Sequence, residues 1–239
     1  MRRGWDSEAG NWALFARTPG QDHVYDEINL PAFLALLPPP GRRTLDLGCG
    51  EGRLARVLRP LGYQVAGIDA SETLVRLAAG HALPEPAVVA DVTGLPFAAG
   101  AFDLVVAFMV LHDVDRLPAA VAEIARVLEP GGTLCIAIPH PVNSAGNFPD
   151  RTPDAPFVIP GSYLEPRPSD FTVDRDGLRL TFHSEHRPLE AYSRALEDSG
   201  MRIEAIREVG SREELAARDP AARRWQRIPL SLLIRAVTE

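Results

Sequence analysis

A chain of 239 residues with 46% hydrophobic and 24% charged side chains suits one α/β domain carrying an insertion, and it has no run of the roughly 18 to 20 apolar residues that span a bilayer. The formal charge of −7 argues against nucleic acid as a partner. All 25 basic side chains are arginine, which excludes a phosphate-loop lysine, a Schiff-base lysine and a lysine general base.

The opening MRRGWDSEAG is not followed by the apolar run of a secretory leader, so the expected location is cytoplasmic. Residues 1–42 read as a helical cover, with Trp12, Phe15, Phe33 and Leu37 able to pack on a sheet edge. From residue 43 to 138 short apolar runs alternate with amphipathic segments, the pattern of parallel strands joined by crossover helices. Strands are predicted at 44–48, 64–69, 87–91, 102–109 and 133–138, with helices at 52–61 and 119–128, the latter stopped by Glu129-Pro-Gly-Gly. Right-handed crossovers bring the C-terminal strand ends to one rim, where ligands bind. Cys49 and Cys135 sit in apolar runs and are expected as buried thiols, not a disulfide.

Residues 139–187 break the rhythm. The segment is rich in proline, carries aromatics suited to packing, and ends in a predicted β-hairpin around Asp176-Gly177, so it reads as a substrate cover. The pattern resumes at 188–239 with a helix at 188–199, a strand at 203–209, an arginine-rich helical link and a last strand at 230–237, the two strands forming an antiparallel pair. The link's Arg223, Arg224 and Arg227 read as a solvated helix face. Together these parts make a single domain.

The residues that carry chemistry begin at TLDLGCGEGRLA. Glycines directly after a strand let the backbone turn tightly and approach a ligand. The spacing Gly48-Cys-Gly50-Glu-Gly52 is GxGxG, and Asp46 precedes it within the strand; that carboxylate would repel a pyrophosphate and attract a cation. Asp69 ends the second strand, where such folds bind ribose hydroxyls, and Asp91 ends the third.

The succession LDLGCGEG, GIDAS, ADVTGLPF, FDLVVAFMVLHDV and RVLEPGGTL resembles the ordered motifs of class I S-adenosylmethionine-dependent methyltransferases. The resemblance implies a Rossmann-like seven-stranded, mostly parallel sheet with an antiparallel last strand, helices on both faces and a cover inserted after strand 5. It implies S-adenosyl-L-methionine as cofactor: Gly48, Gly50 and Gly52 face the methionine portion, Asp46 lies near its ammonium or a bridging water, Asp69 takes the ribose with Ala70 and Ser71 beside it, Asp91 and the Val92 backbone read adenine, and Phe108 offers its carbonyl. It further suggests Arg17 for the donor carboxylate and Tyr25 for the methyl centre. Ser71 also reads as a plain helix cap.

A general base is needed only for an acceptor that must lose a proton. Histidine is the natural candidate, and His140, at the rim after the fifth strand, and His186, before the later helix, are selected as possible catalytic groups beside Tyr25. His112 reads as packing and His81 as loop surface. His183 and His186, three apart, with the distant His140 do not by their spacing define a ligand set, and no metal is expected. The expected activity is O- or N-methylation of a small, partly apolar metabolite, with neither nucleic acid nor membrane as partner. The rivals are a donor-bound enzyme catalysing cyclisation or rearrangement, and a non-catalytic donor-binding module. Oligomeric state is not legible.

Overall fold

The computed structural model describes residues 2–79, 87–175 and 177–239; His81 and Asp176 of the predicted turn lie outside them. The chain opens with α1 (Arg2–Arg17), a π-helical turn at Tyr25–Asn29 and α2 (Leu30–Leu34). The alternating core follows: β1 (Thr44–Leu47), α3 (Arg53–Leu58), β2 (Val65–Asp69), α4 (Glu72–Ala79), β3 (Val88–Val89), β4 (Phe102–Phe108), α5 (Leu117–Val127) and β5 (Leu128–Pro139). The inserted segment holds α6 (Pro141–Ala145), β6 (Arg167–Pro168), β7 (Phe171–Arg175), β8 (Leu178–Phe182) and β9 (Glu185–His186). The fold ends with α7 (Leu189–Asp198), β10 (Met201–Val209), α8 (Glu213–Arg218) and β11 (Ser231–Thr238).

Seven strands form one sheet in the order β10-β11-β5-β4-β1-β2-β3. The pairings β1 to β2, β1 to β4, β2 to β3 and β4 to β5 are parallel, whereas β11 runs antiparallel to both β5 and β10. This is the doubly wound arrangement expected from the alternation.

Alternation along the strands sends successive side chains to opposite faces. On β4, Val105 and Ala107 join Ile136, Val121, Ile124 and Leu196 beneath α5 and α7. Leu104 and Val106 go the other way, to Cys135, Leu54, Leu58 and Ala78 beneath α3 and α4. Both faces are covered, so the central strands read as nearly unbroken apolar runs. Cys49 and Cys135 are buried free thiols.

Two strand boundaries differ from expectation for identifiable reasons. β3 stops at Val89 because Asp91 Oδ1 accepts the Thr93 N–H at 2.8 Å, closing a turn where further strand was predicted. β5 starts at Leu128, through Glu129-Pro-Gly-Gly: the ladder to β4 shifts register between Phe102 and Leu104, and Gly131 takes φ 75°. A β-bulge absorbs the predicted helix stop.

The insertion is organised by short pairings. β6 pairs with β9, β7 with β8, and Asn147 with Val158. The hairpin lies against α1, where Asn11 Nδ2 donates to the Arg179 carbonyl at 3.1 Å and Phe182 meets Trp5, Trp12 and Phe15 edge-on. On its other side α1 is tied to the rim, because Trp5 Nε1 donates to Asp113 Oδ2 at 3.0 Å and Ser71 Oγ to Asp6 Oδ1 at 2.6 Å. The first helix thus closes over the strand ends.

Candidate active site

Three left-handed glycines shape the turn after β1: Gly48, Gly50 and Gly52 have φ of 68°, 55° and 85°. Only glycine adopts such angles without strain, and a Cβ at Gly48 would also run into Val110. The turn is fastened to β2, since Cys49 N–H donates to the Ile68 carbonyl at 2.8 Å and Gly50 N–H to Asp69 Oδ2 at 2.9 Å. Asp69 Oδ1 accepts the Ser71 N–H, so the carboxylate braces the loop whose ligand face it shares.

Beside this turn Asp46 is 2% exposed and its Oδ2 has no hydrogen-bond partner. Burial, reinforced by the negative charge of Asp69, pushes its carboxyl up to about 8. A buried acceptor without a donor is costly, and it is relieved by a cation or an N–H supplied from outside. Tyr25 adds a second orphan: its hydroxyl is buried without a partner, and burial holds its pKa well above the usual phenol value. The ring is fixed by the Arg53 guanidinium, 3.4 Å from its centroid, and by Phe108 edge-on at 5.3 Å. Met109, the next residue, has φ 54°, the one positive value outside glycine among the described residues, and marks a strained chain reversal at the end of β4.

Most of these groups line one cavity of about 1060 Å³, just above the roughly 300–1,000 Å³ found for small-molecule pockets. Its lining follows the strand ends, with Asp91 and Val92 after the edge strand β3, Asp46, Gly48 and Gly50 at the central β1, and Tyr25 against Phe108 of β4. Past them the space continues between the inserted segment and the α8–β11 link. It therefore has room for two ligands end to end.

Residues 45–136 match the family model for a methyltransferase domain. The malonyl-[acyl-carrier protein] O-methyltransferase of Enterobacter lignolyticus is 33% identical over 51% of this chain and 50% of its own length. The ubiquinone biosynthesis O-methyltransferase of Xanthomonas campestris pv. campestris is 34% identical over 56% and 55%. A crystal structure of an S-adenosylmethionine-dependent methyltransferase from Mesorhizobium loti superposes with a TM-score of 0.73 at 26% identity, covering 87% of this chain and 96% of that one. Residues 45–136 thus carry a methyltransferase domain, and the fold around them is similar to that of an S-adenosylmethionine-dependent methyltransferase. The chain spans about half the length of the curated relatives it matches. The cavity fits S-adenosylmethionine, the donor named for the Mesorhizobium loti structure: an unpartnered buried carboxylate faces space that a cationic ligand would fill, beside a turn kept free of Cβ atoms.

The fold places the remaining candidates unevenly. Gly48, Gly50, Asp46, Asp69, Ala70, Asp91, Val92, Phe108 and Tyr25 all line the cavity. Gly52, Ser71 and Arg17 do not. Ser71 is 1% exposed and caps α4 by accepting the Leu74 N–H, which settles it as a cap. Arg17 is turned aside by Glu51: its Nε donates to Glu51 Oε2 at 2.9 Å, and Arg56 grips both oxygens of that fully buried carboxylate at 2.6 Å. The arginine that follows the glycine turn and does line the cavity is Arg53, which also bonds Asp22 at 2.7 Å.

Both selected histidines sit behind the wall. His140 is 5% exposed; its Nδ1 accepts the Val142 N–H at 3.0 Å and caps α6, while Nε2 faces Glu208 at 3.0 Å. Clamped between Pro139 and Pro141, the ring is committed to its own turn. His186 is fully buried, with Nε2 donating to the Tyr163 carbonyl and Nδ1 taking the Ser144 hydroxyl, both at 2.8 Å. Burial lowers its pKa, so the ring is neutral with the proton on Nε2. It reaches the cavity only through Ser144, which does line it.

His112, expected as packing, lies on the wall with Nδ1 unpartnered. Burial, then the nearby Arg187, pulls it down to about 3, so its 3.2 Å contact with Asp113 is not an ion pair. The arginine-rich link also departs from the solvated face expected: Arg224 lines the cavity and Arg227 donates to the Pro153 and Ala155 carbonyls. Among the described residues no group of three or more His, Cys, Asp or Glu is arranged to hold a metal, and no helix is long and apolar enough to cross a membrane.

Asn29, Arg53, Met109, Asp113, Ser144, Arg151 and Arg224 were missed from sequence. Arg53 was within reach, as the first residue of the helix that follows the glycine turn. Ser144 follows His140 by four residues, one helical turn, but nothing in the sequence marks its partner as His186.

Proposed function

We propose that this protein transfers a methyl group from S-adenosylmethionine to an oxygen or nitrogen of a small, partly apolar metabolite. The observation that carries the reading is the cavity that takes in the acidic strand ends Asp46, Asp69 and Asp91 and the orphaned Tyr25 hydroxyl, and continues into a second arm where Phe148, Leu215, Trp225 and Leu230 stand among polar and charged side chains. The two curated relatives, both named O-methyltransferases, support oxygen as the acceptor atom.

The donor supplies an electrophilic methyl on a sulfonium, so the protein's work is to align it, exclude water and accept any proton the acceptor sheds. Asp46 meets the donor's ammonium, Asp69 the ribose hydroxyls, Asp91 and the Val92 backbone the adenine, and the Phe108 carbonyl and glycine-turn N–H groups the amino acid portion. Tyr25 directs its hydroxyl to the methyl centre. Arg53, in place of Arg17, is the guanidinium near the donor carboxylate. His186 acts through Ser144: its Nδ1 holds the serine proton, which leaves the oxygen's lone pairs to take a hydrogen bond from an acceptor hydroxyl. Residues 139–187 with α1 form the cover over both ligands.

The test is to screen hydroxy- and amino-bearing metabolites with S-adenosylmethionine and to quantify adenosylhomocysteine and methylated product together by liquid chromatography and mass spectrometry. Equal amounts of both are expected. A rearranged product without adenosylhomocysteine would assign the protein to cyclisation or rearrangement instead. Failure of adenosylhomocysteine to bind would remove the reading altogether.

A further inference from the structure

The far arm of the cavity carries charge that donor binding does not use. Arg224 and Arg151 both line it, among Asn147, Phe148 and Trp225. Arg224 is half-buried; its Nη1 donates to the Asp150 carbonyl at 3.3 Å, whereas its Nε is buried with no partner. Neither arginine forms an ion pair among the described residues. Asp219 is on the same wall, but one of its oxygens is spent on the Ala221 N–H at 3.0 Å. Burial lowers the pKa of Arg224, and among neighbouring charges the largest effect comes from Arg151, ahead of the opposing Asp219 and Asp150. The exposed Arg151 thus opposes the charge of the half-buried Arg224, at a wall whose lining residues Arg151, Arg224 and Asp219 sum to a formal +1.

An unpaired buried N–H donor and a net positive wall both call for an anion. The neighbouring rings narrow its chemistry. Phe148 stands edge-on to Trp225 at 4.9 Å and to Phe157 at 5.1 Å, with the Arg224 guanidinium 5.4 Å from its centroid. This makes an apolar corner with a cationic rim, suited to a flat or alkyl body ending in one negative group.

We propose that the methyl acceptor is a small organic carboxylate, its apolar body against Phe148 and Trp225 and its carboxylate between Arg151 and Arg224. This rests on the methyl-transfer reading and adds the class of acceptor to it. A net charge of +1 favours a monoanion over a phosphate dianion, and the planar guanidinium fork matches a carboxylate.

The experiment is a calorimetric titration of the protein, with and without saturating adenosylhomocysteine, using matched pairs: benzoate and benzamide, 2-naphthoate and 2-naphthamide, decanoate and decanamide, with phenyl phosphate as a further arm. In at least one pair the carboxylate should bind about tenfold or more tightly than its amide, the difference a charge-assisted hydrogen bond makes. Arg224→Gln, and separately Arg151→Gln, should erase that preference while amide binding and adenosylhomocysteine binding persist, which shows that each variant is folded. Equal binding within every pair, a preference surviving in the double variant, absence of any binding, or phenyl phosphate outbinding benzoate would overturn the proposal. Loss of adenosylhomocysteine binding in the native chain would instead defeat the methyl-transfer reading, and the titrations without it would still report on the anion site.

Discussion

Replacing Asp46 by asparagine tests whether the orphaned carboxyl is the group that greets a cationic donor. In the ligand-free protein this carboxyl titrates at about 8, so at pH 7 it is about nine-tenths protonated. A ligand that brings an ammonium against Oδ2 favours the ionised form, and binding must expel that proton. The sign follows: below the raised value affinity improves as pH rises, and above it the gain stops. For a bound-state pKa far below 6, the apparent dissociation constant of adenosylhomocysteine should fall about 50-fold from pH 6 to pH 8, or roughly 2.3 kcal/mol, with most of one proton released at pH 7. Calorimetry in two buffers of different ionisation enthalpy measures the proton directly. Asp46→Asn keeps the shape and loses the titration, so both the slope and this proton should disappear; other carboxyls, common to both proteins, cancel in the comparison. If the asparagine variant kept the native slope, Asp46 would not be the linked group. Stability carries the opposite signature. From the unfolded value near 4 up to 8 the native state holds a proton that the unfolded chain has lost, so this group's contribution is full at low pH and is lost as pH rises. Between pH 5 and 7 the empty native protein should lose about 3 kcal/mol more than Asp46→Asn, read by urea denaturation.

Glu51→Gln should lower stability by roughly 2 to 4 kcal/mol in urea denaturation, because it strips a fully buried carboxylate from Arg17 and Arg56; those guanidiniums are about a third exposed, which keeps the effect below that of a sealed pair. Tyr25→Phe removes a buried hydroxyl without a partner, so the empty protein should gain up to about 1 kcal/mol while turnover drops; an unchanged turnover would separate the hydroxyl from the methyl centre. His140→Asn should destabilise the fold by only about 0.5 to 1 kcal/mol through the lost contact with the largely exposed Glu208, and leave kcat within a few fold, since the ring faces its own turn and Glu208; a collapse of kcat with a folded protein would reinstate it as a base.

The sheet was readable because its strands are buried on both faces and its glycines sit where the chain must reverse; Gly48 against Val110 is a steric demand that the residue type alone announces. Asp46, Asp69 and Asp91 were readable because a strand end fixes where a side chain points. The histidines were not. His140 and His186 face away from the cavity on account of Glu208, Tyr163 and Ser144, residues distant along the chain that only the folded insertion and β10 bring near. Arg224 was misjudged for a related reason: a short arginine-rich link looks solvated until Phe148, carried by the insertion, is laid against it. What sequence patterning conveys is position relative to a chain's own element. Which neighbour a side chain then meets is settled by tertiary packing.

The last strand has a bearing on how the domain is made. β10 joins the sheet solely through β11, which is itself wedged beside β5. Until residues 231–238 are available, β5 is a bare edge that exposes the ladder of Leu134 to Ile138, and β10 has no strand to pair with. Assembly of that half of the domain therefore cannot proceed strand by strand during synthesis. A chain cut before Ser231 would forfeit two strands at once and offer an unpaired apolar edge to its neighbours.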